Sequence, residues 1–418
     1  MSGAGSVMLS GPELAKVLRM VRRELKTIIH ELASSYSQHL VASLATVLDN
    51  AALSAEATCG CGAKVASIEG VIEAARKEKA EVEKITQREE KRLASLEKPV
   101  TSNQLNAYFA SVDELKDKKV TSITQLPGGF SKATFLIETH SAPNLILRRD
   151  LPFYVSPCSA ADEFEYLRAL SAEGLQVARP IVASRDSGIL GYPFLITECA
   201  PGVNAGVLAK ENSDAGRNVA LQLAAMLGQL HAMDPAAVGM QSELEPEAYM
   251  RQYIASWQVL WRSSGGPSCW FVEKALEWLD ENVPEDIEQL VLIHGDARPD
   301  NMLADHNGNN CVLLDWEFLH AGDPVEDLQY AWQFVEPLID SASFYESYLQ
   351  AGGRPHSDKR GNYYRVWRNV RNLICLDLSW AAFSKGDCPS YLAGAPRLLF
   401  RRMLREDLGK QMMSLGIS

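Results

Sequence analysis

The 418-residue chain carries 41 Lys and Arg against 53 Asp and Glu, a formal net charge of −12, and is 46% apolar and 22% charged. That balance describes a globular chain long enough for two or three compact units, and its acidity excludes a general binder of nucleic acid or of an anionic membrane surface. No apolar run is long enough to cross a bilayer, and Glu13, Lys16 and Arg19 interrupt the place of a signal-peptide core, so a cytoplasmic location is expected. Eight cysteines are scattered; only Cys59 and Cys61 lie close together, and no second pair follows, so free thiols are expected rather than a metal site.

Residues 1–98 read as a helical bundle domain. Ser10 with Glu13 is a capping-box signal, and Leu14, Leu18, Val21, Leu25, Ile28 and Leu32 recur on one helical face. A second helix carries Leu40, Leu44, Val47 and Leu48. A third begins near Lys64 and becomes rich in Glu, Lys and Arg from Arg76 to Lys98. Amphipathic helices of this kind bury their stripes in a bundle or across a homodimer, and no residue in them carries chemistry.

Pro99 marks a linker, and the pattern changes beyond it. Residues 101–200 alternate as short strands, at Thr121–Leu126, Thr134–Thr139, Asn144–Arg149 and Phe194–Glu198. Residues 201–418 read as helices broken by short strands at Leu290–Ile293 and Val312–Leu314. Strands first and helices after predict an α+β, two-lobed architecture.

The strongest chemical signal is Leu292-Ile293-His294-Gly295-Asp296-Ala297-Arg298-Pro299-Asp300-Asn301, followed by Val312-Leu313-Leu314-Asp315-Trp316-Glu317. Phosphoryl transfer needs a carboxylate to orient the attacking hydroxyl and take its proton, and oxygen ligands for magnesium. Asp296 suits the first task. Asn301, five residues on, and Asp315, just past a buried strand, suit the second. Arg298 can hold the transferring phosphoryl group. Glu317 either touches the metal or braces the loop.

At these residues the sequence resembles the aminoglycoside-phosphotransferase-like family of small-molecule kinases, relatives of choline kinase and of protein kinases. The His-Arg-Asp and Asp-Phe-Gly motifs of protein kinases become His294-Gly295-Asp296 and Asp315-Trp316-Glu317. The resemblance covers about residues 101–418. It implies a two-lobed protein-kinase-like fold, ATP and Mg2+ as cofactors, and a small-molecule hydroxyl as acceptor. Gly128, Gly129, Phe130 and Ser131 would then fold over the nucleotide phosphates. Arg148 stands where protein kinases place a phosphate-binding Lys, and Glu163, on a helix capped by Ser159 with Asp162, would pair with it. The backbone from Glu198 to Ala200 would form the hinge that binds adenine. Asp323 and Asp327 would brace the catalytic loop, while His294 and His231 read as structural.

Arg298, the run Leu314–Phe318, Gly322-Asp323-Pro324, and Met250-Arg251-Gln252-Tyr253 with Trp257 and Trp261 look like kinases associated with acyl-CoA dehydrogenases. That branch implies a hydroxyacyl-CoA acceptor. From Arg354 to Lys410 there are twelve Lys and Arg against five Asp and Glu. Arg365, Arg368 and Arg371, among Tyr363, Tyr364, Trp367 and Trp380, predict a basic aromatic surface suited to an anionic CoA ester. The same arginines would also fit ion pairs within the acidic remainder. An antibiotic (macrolide or aminoglycoside) phosphotransferase and a non-catalytic kinase-like scaffold are the alternatives. The presence of Asp296, Asn301 and Asp315 argues against the scaffold.

Overall fold

The computed structural model describes residues 99–126, 131–151, 158–263, 270–356, 358–385 and 391–417, together with two short strands nearer the start. These are β1 (Val7–Leu9) and β2 (Ala63–Val65), paired antiparallel. Lys64 therefore sits in a strand where a helix was expected to begin. The other helical expectations for residues 10–98, the homodimer assigned to them, and Cys59 and Cys61 lie outside the described residues. The chain divides into two compact units, one of Met1–Lys98 with Pro389–Arg402, the other of Pro99–Cys388 with Met403–Ser418. The second unit contains every candidate functional residue.

That unit opens with α1 (Ser102–Phe109), whose start is fixed by a capping box between Thr101 and Gln104. Five strands follow: β3 (Val120–Gln125), β4 (Lys132–Thr139), β5 (Leu145–Asp150), β6 (Pro180–Ser184) and β7 (Phe194–Glu198). They form an antiparallel sheet in the order β3-β4-β5-β7-β6. The two-residue period divides β4 and β5 cleanly. Ala133, Phe135, Ile137, Leu145 and Leu147 pack with Leu105 and Phe109 of α1 in one buried core. Lys132 and Arg148 fall on the opposite face, over which lies α2 (Ala160–Ala172). Ser159 and Asp162 form the expected capping box, which sets Glu163 in the first turn, fully buried.

After the one-turn α3 (Ser187–Leu190) and strand β7, the chain enters the helical lobe through Gly202. Its φ is +119°, and a Cβ there would come within 2.7 Å of the Ala304 carbonyl oxygen. Strand β8 (Val203–Asn204) leads to helices α4 (Ala205–Glu211), α5 (Ser213–Ala232), α6 (Pro246–Ser263) and α7 (Trp270–Glu281). Short strands β9 (Val291–Ile293), β10 (Met302–Ala304), β11 (Val312–Leu313) and β12 (His320–Gly322) come next. They pair as β9 with β12 and as β11-β10-β8, and the two chemical motifs follow the buried strands β9 and β11 of these two small sheets. Helices α8 (Val325–Val335), α9 (Ser341–Gln350), α10 (Gly361–Lys385) and α11 (Tyr391–Ser414) complete the chain. The architecture is the α+β, two-lobed one expected.

Helix α10 does not form the expected basic aromatic surface, because of its three named arginines only Arg365 is exposed and the aromatic residues Tyr363, Tyr364 and Trp367 are buried. Tyr363, Tyr364, Trp367, Val370 and Ile374 are buried against Trp257 and Trp261 of α6 and Leu276 of α7. Arg371 is 2% exposed; its guanidinium lies 3.3 Å from Glu326 and over the rings of Phe318 and Tyr330. Arg368 pairs with Asp407 at 3.2 Å. The helix is apolar on more than one face and so belongs in the core, where its charges need internal partners. Met250, Trp257 and Trp261, grouped above with an acceptor branch, are core residues as well.

Candidate active site

The loop after β9 is fixed from behind by one carboxylate. Asp327, fully buried in the first turn of α8, accepts the backbone N–H of His294 at 2.7 Å and of Gly295 at 2.8 Å. His231, buried on α5, brings its Nε2 to 3.3 Å from Oδ2, the oxygen that also accepts the His294 amide. Burial by itself would raise the Asp327 pKa, but the contacts with His231, His294 and the Gly295 amide hold it below the usual carboxylate value. His294 spans the loop, with Nε2 3.0 Å from the Leu314 carbonyl and Nδ1 accepting the Asp296 amide at 3.1 Å. Both histidines are held by hydrogen bonds inside the fold. Gly295 has φ +81°, and a Cβ there would come within 2.8 Å of Phe318 Cβ.

This backbone presents Asp296. Its Oδ2 accepts a hydrogen bond from the Asn301 amide at 2.7 Å, and the same nitrogen reaches the Asp296 carbonyl at 2.9 Å. Its Oδ1 accepts the Tyr330 hydroxyl of α8 and lies 3.5 Å from Arg298 Nε. Burial, and then the adjacent Asp296 carboxylate, push the Tyr330 pKa well up, so this hydroxyl stays protonated and remains a donor. The Arg298 guanidinium is a third exposed and lies over the Phe334 ring.

Asp315 follows β11 with a left-handed backbone, φ +68°, unusual for a residue other than Gly. The Leu314 N–H donates to the Asn301 carbonyl at 2.9 Å, which ties the two motifs together. Asp315 Oδ1 is 2.5 Å from Arg148 Nη2, and Arg148 Nη1 is 2.5 Å from Glu163 Oε2. Lys132 joins the same cluster, with Nζ 2.8 Å from Glu317 Oε2, 3.2 Å from Glu163 Oε1 and 3.0 Å from the Cys158 carbonyl. Burial would raise the Asp315 pKa; the cations Arg148 and Lys132 outweigh it and hold the carboxyl below its usual value. Burial likewise works against the charges on Lys132 and Arg148, and their carboxylate partners reverse that effect.

Two cations thus face three carboxylates, an excess of negative charge beside Asp315. Asp315 and Asn301 supply a carboxylate and an amide oxygen, the donor types that hard divalent cations take. Among the described residues no group of three or more His, Cys, Asp and Glu would hold a metal unaided.

The structure brings together Asp296, Arg298, Asn301 and Asp315, and separately Arg148, Glu163 and Asp315. Ser131 is half-buried just before β4, while Gly128, Gly129 and Phe130 lie outside the described residues. In the expected hinge, the Glu198 amide donates to Arg179 and the Cys199 amide to Asn144. The Glu198 side chain is occupied by Arg179. Among the described residues, the Ala200 amide donates to no backbone carbonyl. Sequence reasoning missed Lys132 and Tyr330. Strand alternation would have placed Lys132 on the Arg148 face had β4 been started two residues earlier.

Residues 122–368 match the model of the phosphotransferase enzyme family. The chain belongs to that family. The matched segment of this phosphotransferase contains Lys132, Arg148, Glu163, Asp296, Asn301 and Asp315. Similar curated proteins include acyl-CoA dehydrogenase family member 11 of Homo sapiens, 24% identical over 69% of the chain and 39% of that protein. Family member 10 of Mus musculus is 27% identical over 50% of the chain and 20% of that protein. The uncharacterized protein YcbJ of Bacillus subtilis is 31% identical over 40% of the chain and 55% of its own length. The chain therefore spans well under half of the two dehydrogenase-family relatives. Among solved structures, one assigned to the aminoglycoside phosphotransferases, from Ralstonia eutropha, superposes with a TM-score of 0.58 at 21% identity, covering 75% of this chain and 98% of that one. The GDP complex of a mutant aminoglycoside 2'-phosphotransferase-IIIa gives 0.50 at 16% identity, covering 75% and 99%. These two likenesses establish the fold.

Proposed function

We propose that this phosphotransferase is a kinase that moves the γ-phosphoryl group of ATP to a hydroxyl of a small molecule, and that the acceptor is a hydroxyacyl-CoA. The observation that carries the kinase reading is the placement of Asp296. Its carboxylate is held at the end of a braced loop by Asn301 and Tyr330, and Asn301 is tied by its backbone to the Asp315 turn. In this reading Asp296 orients the acceptor hydroxyl and takes its proton as the oxygen attacks the γ-phosphorus. The new ester keeps the phosphoryl group, and ADP departs with the bridging oxygen. Arg298 is placed to offset the charge on the moving phosphoryl oxygens. Asp315 and Asn301 would hold Mg2+, which supplies neutralisation of the nucleotide phosphates. Arg148, locked by Glu163, would point its charge at those phosphates, and the Ala200 amide would meet adenine.

The acyl-CoA part rests on the relatives, whose names tie them to acyl-CoA chemistry. Arg368 and Arg371 of α10, held in ion pairs within the fold, give it no support. The deciding experiment offers Mg-ATP with matched hydroxyacyl-CoAs, free hydroxy acids, macrolides and aminoglycosides, and reads phosphate esters by mass spectrometry. We expect the CoA esters to be preferred by about tenfold or more, since binding energy from the remote CoA can be used to position the hydroxyl. Equal use of the free acid, or a preference for an antibiotic, contradicts the acceptor while leaving the kinase reading intact.

A further inference from the structure

Lys132 has no part in the proposed chemistry, yet its whole side chain is buried, at 3% exposure, in the cluster that holds Arg148. Removing an ammonium group from water is costly, and the cost is offset only by close, well-placed partners. Neutralising Glu163 does not require Lys132, because Arg148 already meets Glu163 at 2.5 Å. The shorter ion pair of Lys132 is with Glu317, at 2.8 Å. Those two carboxylates come from different parts of the fold, Glu163 from α2 and Glu317 from the turn that carries Asp315.

We infer that Lys132 is a positioning residue of the nucleotide site, which holds Glu317 in the wall of the site as a brace and ties α2 to the Asp315 turn. The inference rests on the kinase reading and deepens it. Glu317 lies two residues beyond Asp315 and, left unpaired, would be a second carboxylate competing for the same cation. With its Oε2 committed to the ammonium group, Glu317 fixes the turn, and Asp315 with Asn301 is the protein's contribution to the metal. The same clamp fixes Glu163, and therefore the direction in which Arg148 points. Strand β4 begins at Lys132, so the clamp also anchors the start of that strand.

The test titrates the full chain with Mg-ADP by calorimetry, which needs no turnover, and adds steady-state kinetics for ATP. Lys132→Met should weaken Mg-ADP and raise the KM for ATP by about tenfold or more, and Lys132→Arg should restore most of the loss. Glu317→Gln, which removes the ion pair but keeps a hydrogen-bond acceptor for Lys132, should weaken Mg-ADP less than Lys132→Met does, while Asp315→Ala should lose binding. Mg-ADP binding by Lys132→Met that equals wild type, with only a lower melting temperature, overturns the inference. So does a Glu317→Gln variant as defective as Asp315→Ala, a comparison that holds even if Lys132→Met fails to fold. Failure of the wild-type chain to bind Mg-ADP would instead remove the kinase reading.

Discussion

Both oxygens of Asp296 are occupied by donors that belong to the protein, and the two donors do different work. Asn301 comes from the same loop and also closes that loop by reaching the Asp296 carbonyl. Tyr330 comes from α8 and fixes the rotation of the carboxylate from outside the loop. Replacing Tyr330 with Phe removes one hydrogen bond to a charged group and leaves the ring in place. We expect kcat to fall about tenfold, equivalent to ~1.4 kcal/mol, with Mg-ADP affinity unchanged. Unchanged kcat would show that Asn301 alone orients the carboxylate. At this scale the sequence was legible where partners are close in the chain. Asp296 and Asn301 are five residues apart. Lys132 and Glu317 are 185 residues apart, and nothing local marks either as paired. Tyr330 was equally hidden, since a Tyr in an apolar helical stripe reads as core.

The first turn of α8 acts as the platform for the site. Asp327 braces the catalytic loop, and Glu326 meets His320, Trp367 and Arg371. Asp323, one turn earlier, pairs with Arg360 at 2.9 Å. In the Gly322–Leu328 run, Asp327 braces the loop as expected, whereas Asp323 accepts the Val325 amide and pairs with Arg360 instead of touching that loop. Glu326 was passed over, and with it the reason for the arginines of α10. A helix carrying Tyr363, Tyr364, Val366, Trp367 and Val370 buries most of its circumference and leaves only a narrow polar side to water. Arg368 and Arg371 therefore announced ion pairs within the fold, and only Arg365 is left exposed. Asp327→Asn keeps the shape and removes the charge, leaving the His231 and loop contacts without a carboxylate. We expect a loss of about 3 kcal/mol at neutral pH. The folded pKa of Asp327 is depressed, so its contribution is complete above the unfolded carboxylate value of about 3.9 and is lost as pH falls through the folded value. Chemical denaturation of wild type and variant across acidic pH should therefore converge towards the lowest pH. A stability difference that is independent of pH would contradict the charged brace.

Across the whole molecule, the two-lobed division was legible because the strand period gives way to the helix period after residue 200, and because both motifs sit beside short apolar strands. The sheet order was not legible, since strand β6 has no clear alternation and pairs beside β7. The candidate site residues could be named from the sequence because phosphoryl transfer demands few protein groups in a fixed order along the chain. The acceptor was not found in the same way, because its recognition depends on which side chains of the helical lobe reach a surface. Packing decides that, as Arg371 shows. The family match encloses the whole proposed nucleotide site, so the central claim is the transfer chemistry itself. Its most direct measurement compares wild type with Asp296→Asn for phosphate-ester formation from Mg-ATP, alongside calorimetric binding of Mg-ADP to both. We predict Mg-ADP binding of similar strength in the two proteins and a loss of turnover of about 100-fold or more in Asp296→Asn. Turnover by Asp296→Asn near the wild-type rate would contradict it.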